Sequence, residues 1–125
     1  MSSGPGSPDG SPPTSGGTPA SQDHASAVRV WKQFRDVIFE RLAAIEKAVT
    51  ALRRATLTPD VRQKAVLEAH RLAGSLGMFG LAEGTRVARE IEHLLAENVV
   101  AAPDTPHRLV ELAGILRHEL EKGPA

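Results

Sequence analysis

Apolar residues recur at helical spacing in four separate stretches of this chain, and a chain patterned that way has few means of burying them. In the first stretch Val30, Phe34, Val37, Ile38, Leu42, Ile45, Val49 and Leu52 alternate with charged residues, which predicts a long amphipathic helix from about Ala27 to Ala55. It stops near Thr56-Leu57-Thr58-Pro59. Thr58 is suited to cap a second helix, with Pro59 at its first position and Asp60 in the first turn, where the helix dipole favours an acid. That helix runs to about Leu76, with Gly77 and Gly80 marking its end and a tight connection. A third spans about Leu81 to Glu97 and buries Leu81, Val87, Ala88, Ile91, Leu94 and Leu95. Asn98 to Thr105 reads as a loop, and Thr105-Pro106 repeats the cap-then-proline signal. The last helix carries Leu109, Leu112, Ala113, Leu116 and Leu120 before Gly123-Pro124. Four single-striped helices with short connections cover one another as an antiparallel four-helix bundle, an all-α fold over residues 27–123. Residues 1–26 are dominated by Ser, Gly, Pro and Thr, have almost nothing apolar to bury, and are expected to form a disordered tail.

Composition removes whole classes of function. Fifteen basic and fifteen acidic side chains leave no net charge, so neither nucleic acid nor an anionic membrane surface is an expected partner. With no cysteine there is no disulfide and no thiolate-held zinc. The N-terminus lacks the charged start and apolar run of a secretory signal, and no apolar stretch is long enough to span a bilayer, so a cytoplasmic location without membrane insertion is expected. Met1 followed by the tail suggests a complete small protein or an N-terminal module.

The second helix is the unusual one. At 100° per residue, Val61, Ala65, Leu72 and Leu76 form its core stripe, while His70 points outward among Gln63, Val66, Leu67, Ala73, Gly74 and Gly77. A solvated helix face normally carries Lys, Glu and Gln. Here aliphatic and small residues surround an imidazole, and Gly74, one turn beyond His70, leaves the ring open to another molecule at a cost of roughly 0.5–1 kcal/mol relative to alanine. An exposed, mostly apolar patch around one polar group has the form of a docking site. A plain solvated histidine beside a frayed helix end is the bland reading of the same residues.

Imidazole is a competent nucleophile toward phosphorus near neutral pH, because its ordinary pKa of about 6.5 leaves much of it unprotonated. A histidine that only holds a phosphoryl group needs little else on its own protein, since a partner can supply the metal ion and acidic cluster that stabilise the transferring group. Other chemistry finds no support. There is no phosphate-cradling Gly-rich loop and no Gly-x-Ser-x-Gly elbow, and Ser75 has no evident third member of a triad. His70, His93, His107 and His118 are unpaired at helical spacing, and the single Glu90-to-His93 step is not repeated, so no metal site or cofactor is expected.

The run Ala69-His70-Arg71-Leu72-Ala73-Gly74-Ser75-Leu76-Gly77-Met78-Phe79-Gly80-Leu81 resembles the phosphorylation segment of histidine-containing phosphotransfer (HPt) domains, with His70, Gly74, Ser75 and Gly80 at the matching positions. Phe79-Gly80-Leu81 and the following Ala88 to Leu95 are also similar to the phosphoacceptor domain of chemotaxis histidine kinases. The resemblance implies a helical bundle with His70 as phosphoacceptor. The partner would be a response-regulator receiver domain bringing its own Mg, with a sensor histidine kinase a further candidate. Docking would take place over Val66, Leu67, Ala73, Gly74 and Gly77, with Gln63 and Arg71 at the rim, and the carrier, a monomer, would not be an enzyme in its own right. One position departs: where the family usually has lysine this chain has Ala73, which removes a cation that would help hold the phosphoryl charge. Arg71 lies about 100° round the helix from His70. Two alternatives stay open: a docking bundle that has lost transfer activity, and a structural bundle that self-associates through the patch.

Overall fold

A computed structural model describes residues 19–96 and 102–124. Four helices account for nearly all of them: α1 (Pro19–Arg53), α2 (Pro59–Met78), α3 (Ala82–Ala96) and α4 (Thr105–Lys122). Each packs on its neighbour in the chain, and α1 closes the ring against α4, which gives the expected antiparallel four-helix bundle. Among the described residues there is no strand. The interior is built from fully buried Leu42, Ile45, Leu72, Leu76, Ile91, Leu95, Leu109, Leu112, Leu116 and Leu120.

The start of α2 follows the sequence signal closely. The Thr58 hydroxyl accepts a hydrogen bond from the Val61 amide at 3.2 Å, Pro59 opens the helix, and Asp60 occupies the first turn. At its far end, Gly80 adopts φ +72°, a left-handed conformation that reverses the chain into α3 within a few residues.

Three expectations shift. Apolar periodicity starts the first helix near Ala27, whereas α1 begins at Pro19, inside the stretch assigned to the tail. Pro at the first turn and alanines at 20, 25 and 27 let a helix anchored by its packed half propagate at little cost. Residues 1–18, the rest of that stretch, and residues 98–101 of the loop lie outside the described residues. Second, Val30, Phe34 and Val37 belong to the periodic face of α1 but not to the core, and Phe34 is 50% exposed. The buried stripe is Trp31, Ile38, Leu42, Ile45 and Val49, because a 35-residue helix beside a 20-residue partner has more apolar face than its neighbours cover. Third, Thr105 is the first residue of α4 and is buried rather than capping it. The cap position falls to Asp104, whose side chain makes no capping hydrogen bond.

Candidate functional site

Fixing the start of α2 at Thr58 fixes the direction of every side chain after it. Ala65, Ala69, Leu72, Ala73 and Leu76 turn inward. Gln63, Leu67, His70, Arg71, Gly74 and Gly77 lie exposed, and Val66 is half-buried against the core. One residue assigned to the outer face is therefore misplaced. Ala73 is only 4% exposed. It lies about 60° round the helix from His70, on the side where α3 packs. Ala73 forms the floor of an open depression whose walls are His70, Gly74, Arg89, Glu92, His93 and Ala96.

His70 stands on the rim of this depression with its side chain 71% exposed, and its Nδ1 lies 3.0 Å from Glu92 Oε2 on α3. A carboxylate only accepts, so the contact places a proton on Nδ1 and leaves the Nε2 lone pair directed away from the bond. Nε2 makes no hydrogen bond among the described residues. Nothing stands within 4 Å of where a Cβ on Gly74 would lie, and Gly77 would meet only the Thr85 hydroxyl at 3.9 Å. The imidazole is thus held at one nitrogen and open at the other.

The cations nearby differ in how far they are committed. Arg71 leans toward α1, 3.6 Å from Glu68, which Arg41 also approaches at 3.8 Å. Arg86 grips Glu83 at 2.7 Å and Glu90 at 3.2 Å, and the Glu83 hydrogen bond raises its pKa further above the ordinary arginine value. Arg108 also binds Glu90, at 2.8 Å, and Arg62 donates to the Leu95 carbonyl at 2.8 Å. Arg89, which borders both the His70 depression and the adjoining one beneath Gly77 and Gly80, makes no hydrogen bond or ion pair among the described residues. No group of three or more potential metal-ligating side chains comes together among those residues, and none of their helices is long and apolar enough to cross a membrane.

Glu92 and Arg89 are absent from the sequence-derived site, yet a signal for Glu92 exists. The α2–α3 connection turns at about Leu81, and in an antiparallel helix pair residues equidistant from the turn lie side by side. His70 and Glu92 are each eleven positions from Leu81. A second omission is the apolar groove between α1 and the end of α2, lined by Val30, Phe34, Val37, Met78 and Phe79, with Met78 88% exposed.

Comparison with known proteins identifies the family of the bundle. The family model of the Hpt domain matches residues 29–122, which takes in all of α2 and α3. A curated relative, Protein RcaC of Microchaete diplosiphon, is 26% identical over 91 residues. The match covers 73% of this chain and 14% of the relative, so the chain spans a small part of that protein's length. No solved structure matches.

Proposed function

The chain belongs to the Hpt domain family, and from that premise we propose that it carries a phosphoryl group on His70 to or from the aspartate of a response-regulator receiver domain in a two-component phosphorelay. Members of this family are phosphocarriers, working with receiver domains and kinases rather than turning over substrate alone. The observation that carries the reading is the state of His70: ring exposed, Nδ1 tied to Glu92, Nε2 free beside a glycine.

That arrangement suits the chemistry. The Nε2 lone pair attacks the phosphorus of the receiver's aspartyl phosphate. The N–P bond forms as the bond from phosphorus to the carboxylate oxygen breaks, and the aspartate leaves as a carboxylate. No proton has to move, because Nδ1 keeps the one it holds. The ring then carries positive charge, which the Glu92 carboxylate offsets at 3.0 Å. Return of the phosphoryl is the same step reversed. The receiver supplies Mg and its own acidic cluster, so this chain needs no cofactor.

Docking takes place over Gln63, Leu67, Arg71, Gly74 and Gly77, with Val66 at the edge and Ala73 as floor. The exposed Val30–Phe34–Val37–Met78 groove lies beside the last turn of α2, on its α1 side. A monomeric carrier in the cytoplasm, supplied by a sensor kinase or by a receiver, fits this role.

The test is transfer of labelled phosphate from a phosphorylated receiver to the wild-type chain and to His70→Gln. Acid-labile, base-stable label on the wild type alone, with both proteins equally helical, is the expected result. Receiver binding without label would leave a docking bundle that has lost transfer. Neither binding nor label across a broad panel of receivers would sink the signalling reading.

A further inference from the structure

Placing a phosphoryl group on Nε2 brings close to two negative charges to the edge of a depression that already contains the Glu92 carboxylate. These charges repel one another, and α2 offers no counter-charge where it is needed, because Ala73 contributes only a methyl group to the floor. Arg71 is turned to Glu68 on the opposite flank of α2. Arg86 is held by two glutamates and Arg108 by Glu90 and Glu111, while Arg62 is spent on a backbone carbonyl.

Arg89 is in a different position. It sits on α3 three residues before Glu92, and therefore on the same helix face. It lines the depression beside His70 and is uncommitted among the described residues. We propose that the Arg89 guanidinium is the cation that binds the phosphoryl oxygens of phospho-His70, supplied from α3 in place of the lysine that α2 lacks. The planar fork of N–H donors matches two phosphoryl oxygens at once, which an ammonium on a single stem does not. This assignment rests on the phosphotransfer reading above and says which side chain receives the charge.

A small donor separates this role from docking. With phosphoramidate, the P–N bond breaks as His70 Nε2 bonds to phosphorus and ammonia leaves, so no protein partner is involved. Four proteins are compared: wild type, Arg89→Ala, Arg89→Lys, and Arg89→Ala combined with Ala73→Lys, with His70→Gln as blank. Labelling of Arg89→Ala should be slower by roughly tenfold, the loss of one charge-assisted hydrogen bond. Its phosphoprotein, freed of donor, should lose phosphate faster than the wild type, with a shifted phosphorus resonance and an unchanged melting temperature. A lysine at either position should restore much of the rate and the lifetime, which a merely structural contribution of Arg89 would not allow. Arg89→Ala indistinguishable from wild type in rate and lifetime overturns the assignment and leaves the phosphotransfer reading standing. So does a folded variant that neither lysine rescues. A wild-type chain that takes no label from phosphoramidate or from any receiver removes the underlying reading and the assignment together.

Discussion

A carboxylate facing Nδ1 does two things for an imidazole. It selects the tautomer whose Nε2 carries the lone pair, and it stabilises the ring when that lone pair is given away. Glu92 stands in that relation to His70 at 3.0 Å, with its own side chain about a quarter exposed. Glu92→Gln keeps an acceptor but removes the charge. On the phosphotransfer reading, single-turnover transfer at saturating receiver should slow by roughly ten- to a hundredfold, while receiver affinity and melting temperature stay near wild type. Equal rates for the two proteins would mean that the contact is incidental. At this scale the sequence was informative about identity and poor about pairing. His70 and Gly74 stood out because an imidazole and a glycine on an otherwise aliphatic outer face are chemically unexpected. Glu92 and Arg89 did not, because on α3 they look like any other charged residues of a solvated helix face, and only the packing of α3 against α2 brings them to the histidine.

α2 carries a stability penalty at the place where access matters. Gly74 lies inside a regular helix, and beyond its chain neighbours and the adjacent helix backbone an added Cβ would meet no atom within 4 Å. Gly74→Ala should therefore stabilise the protein by about 0.5–1 kcal/mol, seen as a small rise in melting temperature. The same methyl group would project toward a docked partner. Receiver-dependent labelling should fall, more so for Gly74→Leu, while labelling by phosphoramidate stays close to wild type. A variant that is more stable and equally fast with the receiver would remove Gly74 from the docking surface. Element boundaries were legible wherever a local hydrogen bond decides them, as at Thr58, whose hydroxyl caps α2. They were less legible where tertiary contact decides. Thr105 and Pro106 look like the same signal, but the core draws Thr105 inward and moves the cap position to Asp104. Ala73 was misread for a related reason: periodicity gives its angle on the helix but not how near α3 approaches on that side.

Trp31 joins three parts of the bundle. Its ring is 6% exposed and meets Phe79 edge-on, with centroids 5.1 Å apart, and a Cβ on Gly123 would lie 2.9 Å from its indole nitrogen. The N-terminal part of α1, the end of α2 and the exit of α4 are thus tied at one residue. Trp31→Ala should cost about 3–5 kcal/mol, a large share of what a domain of this size has, whereas Phe34→Ala, from a half-exposed position one turn on, should cost about 1 kcal/mol or less. Urea unfolding of the two variants checks the contrast, and similar midpoints would show that the buried stripe of α1 is drawn wrongly. The bundle itself was readable from apolar spacing, since four stripes have to cover one another. Which residues of the long α1 face would be covered was not, because that depends on where the shorter α2 stops. The hairpin of α2 and α3 has one more consequence. His70 and Glu92 are 22 residues apart and are brought together by a single tight turn, so their meeting requires only a short loop to close. Contacts between adjacent helices form early and fast in chains of low contact order. The pair can therefore be assembled by the α2–α3 hairpin alone, without the contact of α1 with α4 that closes the ring.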